Sequence, residues 1–413
     1  MAVIKAFAAL RPKPEYAKLI AAPPYDVLSS DEAREAVKGN PYSFLRVDKP
    51  EVDLDTSIDI YDERVYAKAA ENLGWLVRNV MTRDDGPRLY IYRLIMDGAP
   101  QTGLVACCSV DEYLSGAIKK HELTREDKER DRTRHIEATN ANTGPIFLAY
   151  RHSDNPAISG IIAEYARDNE SAYDFVSDDG ITHQVWVIDN ADVMSLLTDG
   201  FAIVPSLYIA DGHHRNASAA NVALKRRKNN ADPGAEFNYT LSVIFPDTEL
   251  RILACNRLVK DLNGLSDPEL LERIRERFAV TPSATPLKPN KPRVFGMYMN
   301  KKWYRLELRE NWRIPERQAD ALDVSVLQNE LLTPILGIGD PRADKRLDFV
   351  GGIRGLRELE ERVELGEMAA AFSMYPTSMN QLTSIADAGE IMPPKSTWFE
   401  PKLRSGLFTH WLE

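Results

Sequence analysis

The 413-residue chain predicts a mixed α and β fold, of the α+β or mixed α/β class, on three observations. Short apolar runs of strand length alternate with amphipathic segments of helix length. Turn pairs such as Asp97-Gly98 and Asn300-Lys301 punctuate them. At Asp211 a strand, a tight turn and a helix follow one another directly: Leu207 to Ala210 is apolar, Asp211-Gly212 turns, and Ala217, Ala220 and Leu224 fall at helical spacing.

In chain order, residues 1–30 read as a short strand and an extended, proline-rich arm through Ala22-Pro-Pro-Tyr25-Asp26-Val27. A helix over 31–38 is started by Ser29 or Ser30 and stopped by Gly39-Asn40-Pro41. Val65, Ala69, Leu73 and Leu76 give 61–80 the period of a longer helix. Strands over 88–96 and 102–110 flank Asp97-Gly98, a hairpin signal. The charged stretch 112–142 reads as one or two helices, and 144–150 as a strand. A helix over 157–168, a strand over 184–188 and a short helix over 191–197 lead to the turn at Asp211. Strands over 238–245 and 250–259 are expected to pair around Pro246-Asp247. The four prolines of 281–292 mark a linker, dividing a 1–280 mixed α/β domain from a 281–413 α+β region. That region reads as a hairpin over 294–308 and helices over 324–332 and 353–361.

Composition excludes several classes. Apolar residues make up 44%, ordinary for a globular protein. No run of 18 apolar residues exists, and the start lacks a signal-peptide layout, so a cytoplasmic protein without a membrane partner is expected. Cys107, Cys108 and Cys255 form no disulfide framework and read as small buried hydrophobes. A net charge of −10 argues against nucleic-acid binding. The basic run Lys225-Arg-Arg-Lys228 is accounted for as a helix C-terminus. Oligomeric state is left open.

Four stretches offer chemistry. The first is the turn. Asp211 is placed to cap the helix and Gly212 to bend the backbone. His213, His214 and Arg215, with Asn216 beside them, then crowd the first helical turn. Cations oppose the dipole there, which makes sense if an anion sits on that helix end. The second is 119–142. His121-Glu122 lacks the second histidine of a zinc-protease helix, since Arg125 stands four residues on. Arg132 and His135 are donors suited to phosphate or carboxylate. The third is the proline-rich C-terminal arm. Lys395, Lys402 and Arg404 offer charge and Ser396, Thr397 and Ser405 hydroxyls, while Trp398 and Phe399 can pack on the core. The fourth is Asp26, a metal or amine ligand or a turn cap. There is no P-loop, no Gly-x-Ser-x-Gly elbow and no Gly-x-Gly-x-x-Gly. Asp53-Leu-Asp55-Thr-Ser57 departs from an aspartyl-phosphate motif.

Ala210-Asp211-Gly212-His213-His214-Arg215 resembles the signature of the family known as domain of unknown function 1015. So do Ala22 to Val27, Lys120-His121-Glu122-Leu-Thr124, Leu322 to Asn329, and Met392 to Gly406, covering essentially the whole chain. The Asp-Gly-His-His-Arg turn is also similar to the phosphate-binding turn of the ParB/sulfiredoxin-like superfamily, which includes free-serine kinases. That resemblance implies a ParB/sulfiredoxin-like core around 200–230 and phosphate chemistry on a small phosphorylated or hydroxylated molecule. The favoured expectation is kinase-like transfer from a nucleotide, ATP or ADP, with Mg²⁺, to a hydroxyl such as that of serine. Alternatives are a phosphohydrolase acting on, for example, phosphoserine, and a nucleotide-binding regulator without catalysis. Gly212 to Asn216 would cradle phosphate, with His213, His214 and Arg215 neutralising it. Glu122 or Asp26 would act as base or hold Mg²⁺, with His121 and His214 in the same catalytic set. Arg132, His135, Lys395, Lys402, Arg404 and Ser405 would bind phosphate or nucleotide.

Overall fold

The computed structural model describes residues 2–310 and 312–413, which fall into two compact units. The first runs to Lys120 and adds Thr124–Leu250 and Pro401–Glu413. The second is His121–Leu123 with Arg251–Glu400.

The first unit is built on a nine-stranded sheet. Its order is Ile118–Lys119, Leu207–Asp211, Ile146–Tyr150, Tyr239–Pro246, Ala99–Ser109, Leu89–Met96, Thr182–Ile188 and Tyr173–Val176, with Ile4–Lys5 also on Ala99–Ser109. Tyr239–Pro246 runs parallel to Ile146–Tyr150, and Leu207–Asp211 to Ile118–Lys119; the other pairings are antiparallel. The hairpin forms as expected, because Asp97 and Gly98 both adopt positive φ, 53° and 76°, which matches the twist of the strands they join. Cys107 and Cys108 are buried in its second strand.

Helix starts follow their caps. Ser29 and Glu32 form a reciprocal capping box on Ser30–Ala36, and the Asp62 carboxylate accepts from the Arg64 N–H at the head of Glu63–Asn79. Ala157–Asp168 matches its expected bounds, while Ala191–Ala202 runs five residues longer than expected. Helix His213–Arg226 buries Ala217, Ala219, Ala220 and Ala223 in the core cluster that also holds Ile209, Leu148 and Leu104. Small residues let this helix lie close to the sheet, so its first turn is held by the core.

The second unit contains a six-stranded antiparallel sheet in the order Phe278–Ser283, Lys302–Leu308, Val294–Met299, Ala370–Ser373, Cys255–Val259, Leu347–Gly351. Asn300 and Lys301, at φ 47° and 58°, make the expected hairpin turn. Two expectations are corrected here. The strand placed over 250–259 does not pair with Tyr239–Pro246. It splits into Arg251–Leu253, on Trp398–Glu400, and Cys255–Val259, inside the second sheet. The boundary expected at 280/281 falls instead at 250/251, because the start of the proline-rich stretch is edge strand: Thr281, Pro282 and Ser283 pair with Arg305, Tyr304 and Trp303. Among the described residues, no helix is long and apolar enough to cross a membrane.

Gly103 lies in the strand Ala99–Ser109, beneath the Phe245 ring of the neighbouring strand. A Cβ there would sit 2.7 Å from the Phe245 ring. Gly103→Ala therefore overpacks the site, with an expected loss of about 1–3 kcal/mol in urea denaturation. An unchanged midpoint would mean that the ring moves aside freely.

Candidate functional site

The strand Leu207–Asp211 is buried between Ile118–Lys119 and Ile146–Tyr150 and ends at Gly212. Gly212 adopts φ +96°, a left-handed conformation that side chains resist, and a Cβ there would also meet Arg215 Nε at 3.2 Å. Gly212, not Asp211, is the N-cap of the helix. The Asp211 carboxylate turns the other way. It accepts from the Gly212 N–H at 2.9 Å and pairs with Lys402 Nζ at 2.9 Å. Burial alone would raise this carboxyl, but Lys402, Arg215 and His213 together hold it well below the usual carboxylate range.

Arg215 folds back over the turn. Its Nη1 donates to the Pro145 carbonyl at 2.5 Å. A Cβ on Gly144 would lie 3.1 Å from Ser405 Oγ and 3.3 Å from Arg215 Nη1, so this glycine admits both side chains. Arg215, Ser405 and Gly144 line a narrow cleft together with Tyr25, Asp48, Arg132, His135 and Thr143. The open volume is about 30 Å³. A single water needs roughly 10–15 Å³ on this scale, so the cleft as it stands admits a group the size of a small oxyanion and not a nucleoside.

The lining around Arg132 is ordered by its own bonds. The Arg132 guanidinium stacks on the Tyr25 ring at 4.2 Å, pairs with Asp131 at 2.9 Å and donates to the Asp48 carbonyl at 3.2 Å. The Asp48 carboxylate accepts from Thr143 Oγ1 at 2.7 Å. His135 Nε2 donates to the Val47 carbonyl at 2.8 Å; burial, with Arg132 beside it, pushes this imidazole down and keeps it neutral at pH 7. His214 is held differently. Its Nε2 accepts from the Arg125 N–H at 3.1 Å, so the ring proton sits on Nδ1. Burial lowers its pKa, although Asp26 and Glu129 pull the other way. The expected neutralisation of an anion by His214 thus gives way to a neutral ring, and Arg215 and Arg132 are the fixed cations of the cleft. Asp26 is exposed, with its charge acting on His214 and Tyr25. Asn216, the fourth residue of the helix, is fully buried.

The expected C-terminal arm is divided at 400/401. Ser405 lines the cleft, and Lys402 binds Asp211 instead of lining it. Arg404 does not line the cleft. Neighbours in extended chain point opposite ways, and its guanidinium pairs with Asp179 and donates to Ser177 Oγ at 3.3 Å beside His183. Lys395 belongs to the second unit, where its ammonium lies 5.9 Å from the Trp398 ring centroid and its carbonyl accepts from Arg257 at 3.0 Å. His121 and Glu122 also belong to that unit; the His121 carbonyl accepts from the Met392 N–H at 2.8 Å. Tyr25, Asp48, Thr143 and Gly144 were not among the expected binding residues. Gly144-Pro145 read only as a strand start, and no spacing in the sequence marks the others.

A family model described as "Protein of unknown function (DUF1015)" matches residues 4–325. The chain belongs to the DUF1015 family. Solved structures similar to this DUF1015 protein include a free serine kinase in complex with AMP, at 15% identity and a TM-score of 0.36, covering 73% of this chain and 92% of that one. SbnI with a C-terminal truncation, from Staphylococcus aureus, is 11% identical with a TM-score of 0.38, over 73% and 85%. A conserved hypothetical protein from Pyrococcus furiosus is 15% identical with a TM-score of 0.35, over 74% and 94%. No curated protein matches the chain.

The Asp211–Lys402 pair gives this DUF1015 protein a pH signature. Asp211 is depressed in the folded state, so its contribution is present above the unfolded carboxylate pKa of about 3.9 and is lost as pH falls through the lower folded value. Lys402→Met should cost about 1–3 kcal/mol at pH 7, discounted because the pair is partly exposed, and measurably less at pH 3, where the unfolded carboxylate is largely protonated while the folded one is still paired. Urea midpoints at the two pH values measure the difference; an equal loss at both would remove the pair's assigned role.

Proposed function

We propose that the turn from Asp211 to Asn216 binds a phosphate group and that the protein carries out kinase-like phosphoryl transfer from a nucleotide to a small hydroxyl metabolite, serine being the representative substrate. The observation that carries this reading is the convergence of Arg215, Arg132 and Ser405 on one narrow cleft beside a helix N-terminus. Helix geometry leaves the N–H groups of the first turn without intrahelical acceptors. Two further features support it. Arg215 Nε and both amide atoms of Asn216 are buried without a hydrogen-bond partner, a costly arrangement that an oxyanion would relieve at Arg215. The cleft volume also suits a phosphoryl group, leaving the nucleoside outside it.

Phosphoryl transfer asks a protein chiefly for positioning and charge neutralisation. Arg215 supplies a planar fork for two phosphate oxygens, and the Pro145 carbonyl fixes its orientation. Asp26 is the exposed carboxylate next to His214 and takes the proton from the attacking hydroxyl as the oxygen bonds to phosphorus and the bond to the nucleotide's leaving oxygen breaks. Mg²⁺ comes with the nucleotide's own phosphates.

Arg215→Lys keeps the charge but loses the fork. Affinity for ADP, by isothermal titration, should fall ten- to hundredfold, the equivalent of about 1.5–3 kcal/mol for a charge-assisted hydrogen bond. Asp26→Asn should retain ADP binding and lose turnover of ATP with serine. Wild-type affinity in the first variant overturns the phosphate site. Wild-type turnover in the second overturns Asp26 as base, and turnover of phosphoserine without nucleotide would replace transfer by hydrolysis.

A further inference from the structure

A second groove in the first unit, of about 420 Å³, shares no lining residue with the cleft. It lies between the hairpin strands Leu89–Met96 and Ala99–Ser109 and the helix Ala157–Asp168, and its volume is in the range of small-molecule pockets, roughly 300–1,000 Å³. Its apolar lining includes Ile95 and Ile162. The polar lining is organised by Thr102. Its hydroxyl accepts from Arg93 Nε at 3.0 Å, and its N–H donates to the Glu249 carboxylate at 2.7 Å.

This arrangement fixes two opposite charges on the two ends of one residue. Among the described residues, Arg93 and Glu249 do not form an ion pair with each other. The Arg93 guanidinium is held in place by the Trp186 ring, 4.9 Å away. Glu249 is half-buried, and desolvation raises its carboxyl despite the Thr102 N–H and the nearby Arg93 charge. Two fixed, opposite and unpaired charges beside an apolar wall complement a small zwitterion with an apolar tail. The Ser159 hydroxyl, bonded to Tyr150 Oη at 2.9 Å and His152 Nδ1 at 3.2 Å, adds a neutral polar point on the helix side.

We propose that this groove binds a free α-amino acid with an apolar side chain, its carboxylate on Arg93, its ammonium on Glu249 and its side chain along Ile95 and Ile162. The site is independent of the phosphate cleft, so occupancy does not require a nucleotide.

The test is isothermal titration of the full chain, without nucleotide, using L-leucine and L-isoleucine as probes. Binding is expected, and each charge should matter. N-acetyl-leucine lacks the ammonium and leucinamide lacks the carboxylate, so each should bind at least about tenfold more weakly on the wild-type protein. Glu249→Gln and Arg93→Met should each weaken L-leucine to the same degree, with folding checked by circular dichroism. The probe pair decides the question even where a variant does not fold. Arg215→Lys should leave leucine affinity unchanged, which separates this site from the phosphate reading. Absence of heat from either amino acid at about 10 mM, well past the roughly millimolar range of weak small-molecule sites, overturns the proposal. So does binding of N-acetyl-leucine or leucinamide as tightly as leucine.

Discussion

The ion pair between Asp211 and Lys402 is the constraint around which the candidate site is arranged. It joins the end of a buried strand to a segment 191 residues further along the chain. The pair occupies the acid at the turn, which is why glycine takes the N-cap position and the first helical turn presents N–H groups with no side-chain cap across them. It also fixes the start of the stretch that places Ser405 against Gly144 and Arg215. A half-buried carboxylate of this kind is stabilised by its cation, which couples the turn energetically to the C-terminal segment.

That segment is held at further points of the first unit. Arg404 is paired with Asp179 beside the buried His183, whose ring stacks against Phe175 and Tyr92 and whose pKa burial and Arg404 push down to about 3. His410 reaches Glu236 at 2.9 Å and Asn142 at 3.2 Å. Ala22 and Ser405 exchange backbone hydrogen bonds at 3.1 and 2.9 Å, so the proline-rich arm that carries Tyr25 is tied to another residue that lines the cleft. The cleft is therefore framed by rigid contacts on every side that its own unit supplies, which suits a site whose work is positioning.

The way charge is fixed distinguishes the two cavities. In the cleft, cations predominate: Arg215 is anchored by a carbonyl, and Arg132 is flattened on Tyr25 and balanced by Asp131. In the hairpin groove, one threonine separates an arginine from a glutamate that would otherwise neutralise each other. Arginine fits both roles because its planar group can be held by stacking or one hydrogen bond while further donors stay available.

The amino-acid sequence by itself determined the local pieces. Periodicity marked many of the helices, Ala157–Asp168 to the residue but not Asp267–Arg277 or Met379–Asp387, and dipeptides such as Asp97-Gly98 and Asn300-Lys301 marked the hairpins, because these features depend on interactions within a few residues. The strand, turn and helix around Gly212 were legible for the same reason, and so was the clustering of Arg215 and Asn216 there. What each polar side chain does was decided only by tertiary structure. Nothing local tells that Lys402 meets Asp211, that Arg215 meets a carbonyl 70 residues away, or that Arg404 turns to Asp179 while Ser405 faces the cleft. Nor does composition tell that a proline-rich stretch begins as edge strand and that the chain leaves one unit at 250 and re-enters it at 401. Those choices rest on long-range pairing and burial, whose energies outweigh local propensity and leave no mark on residue spacing.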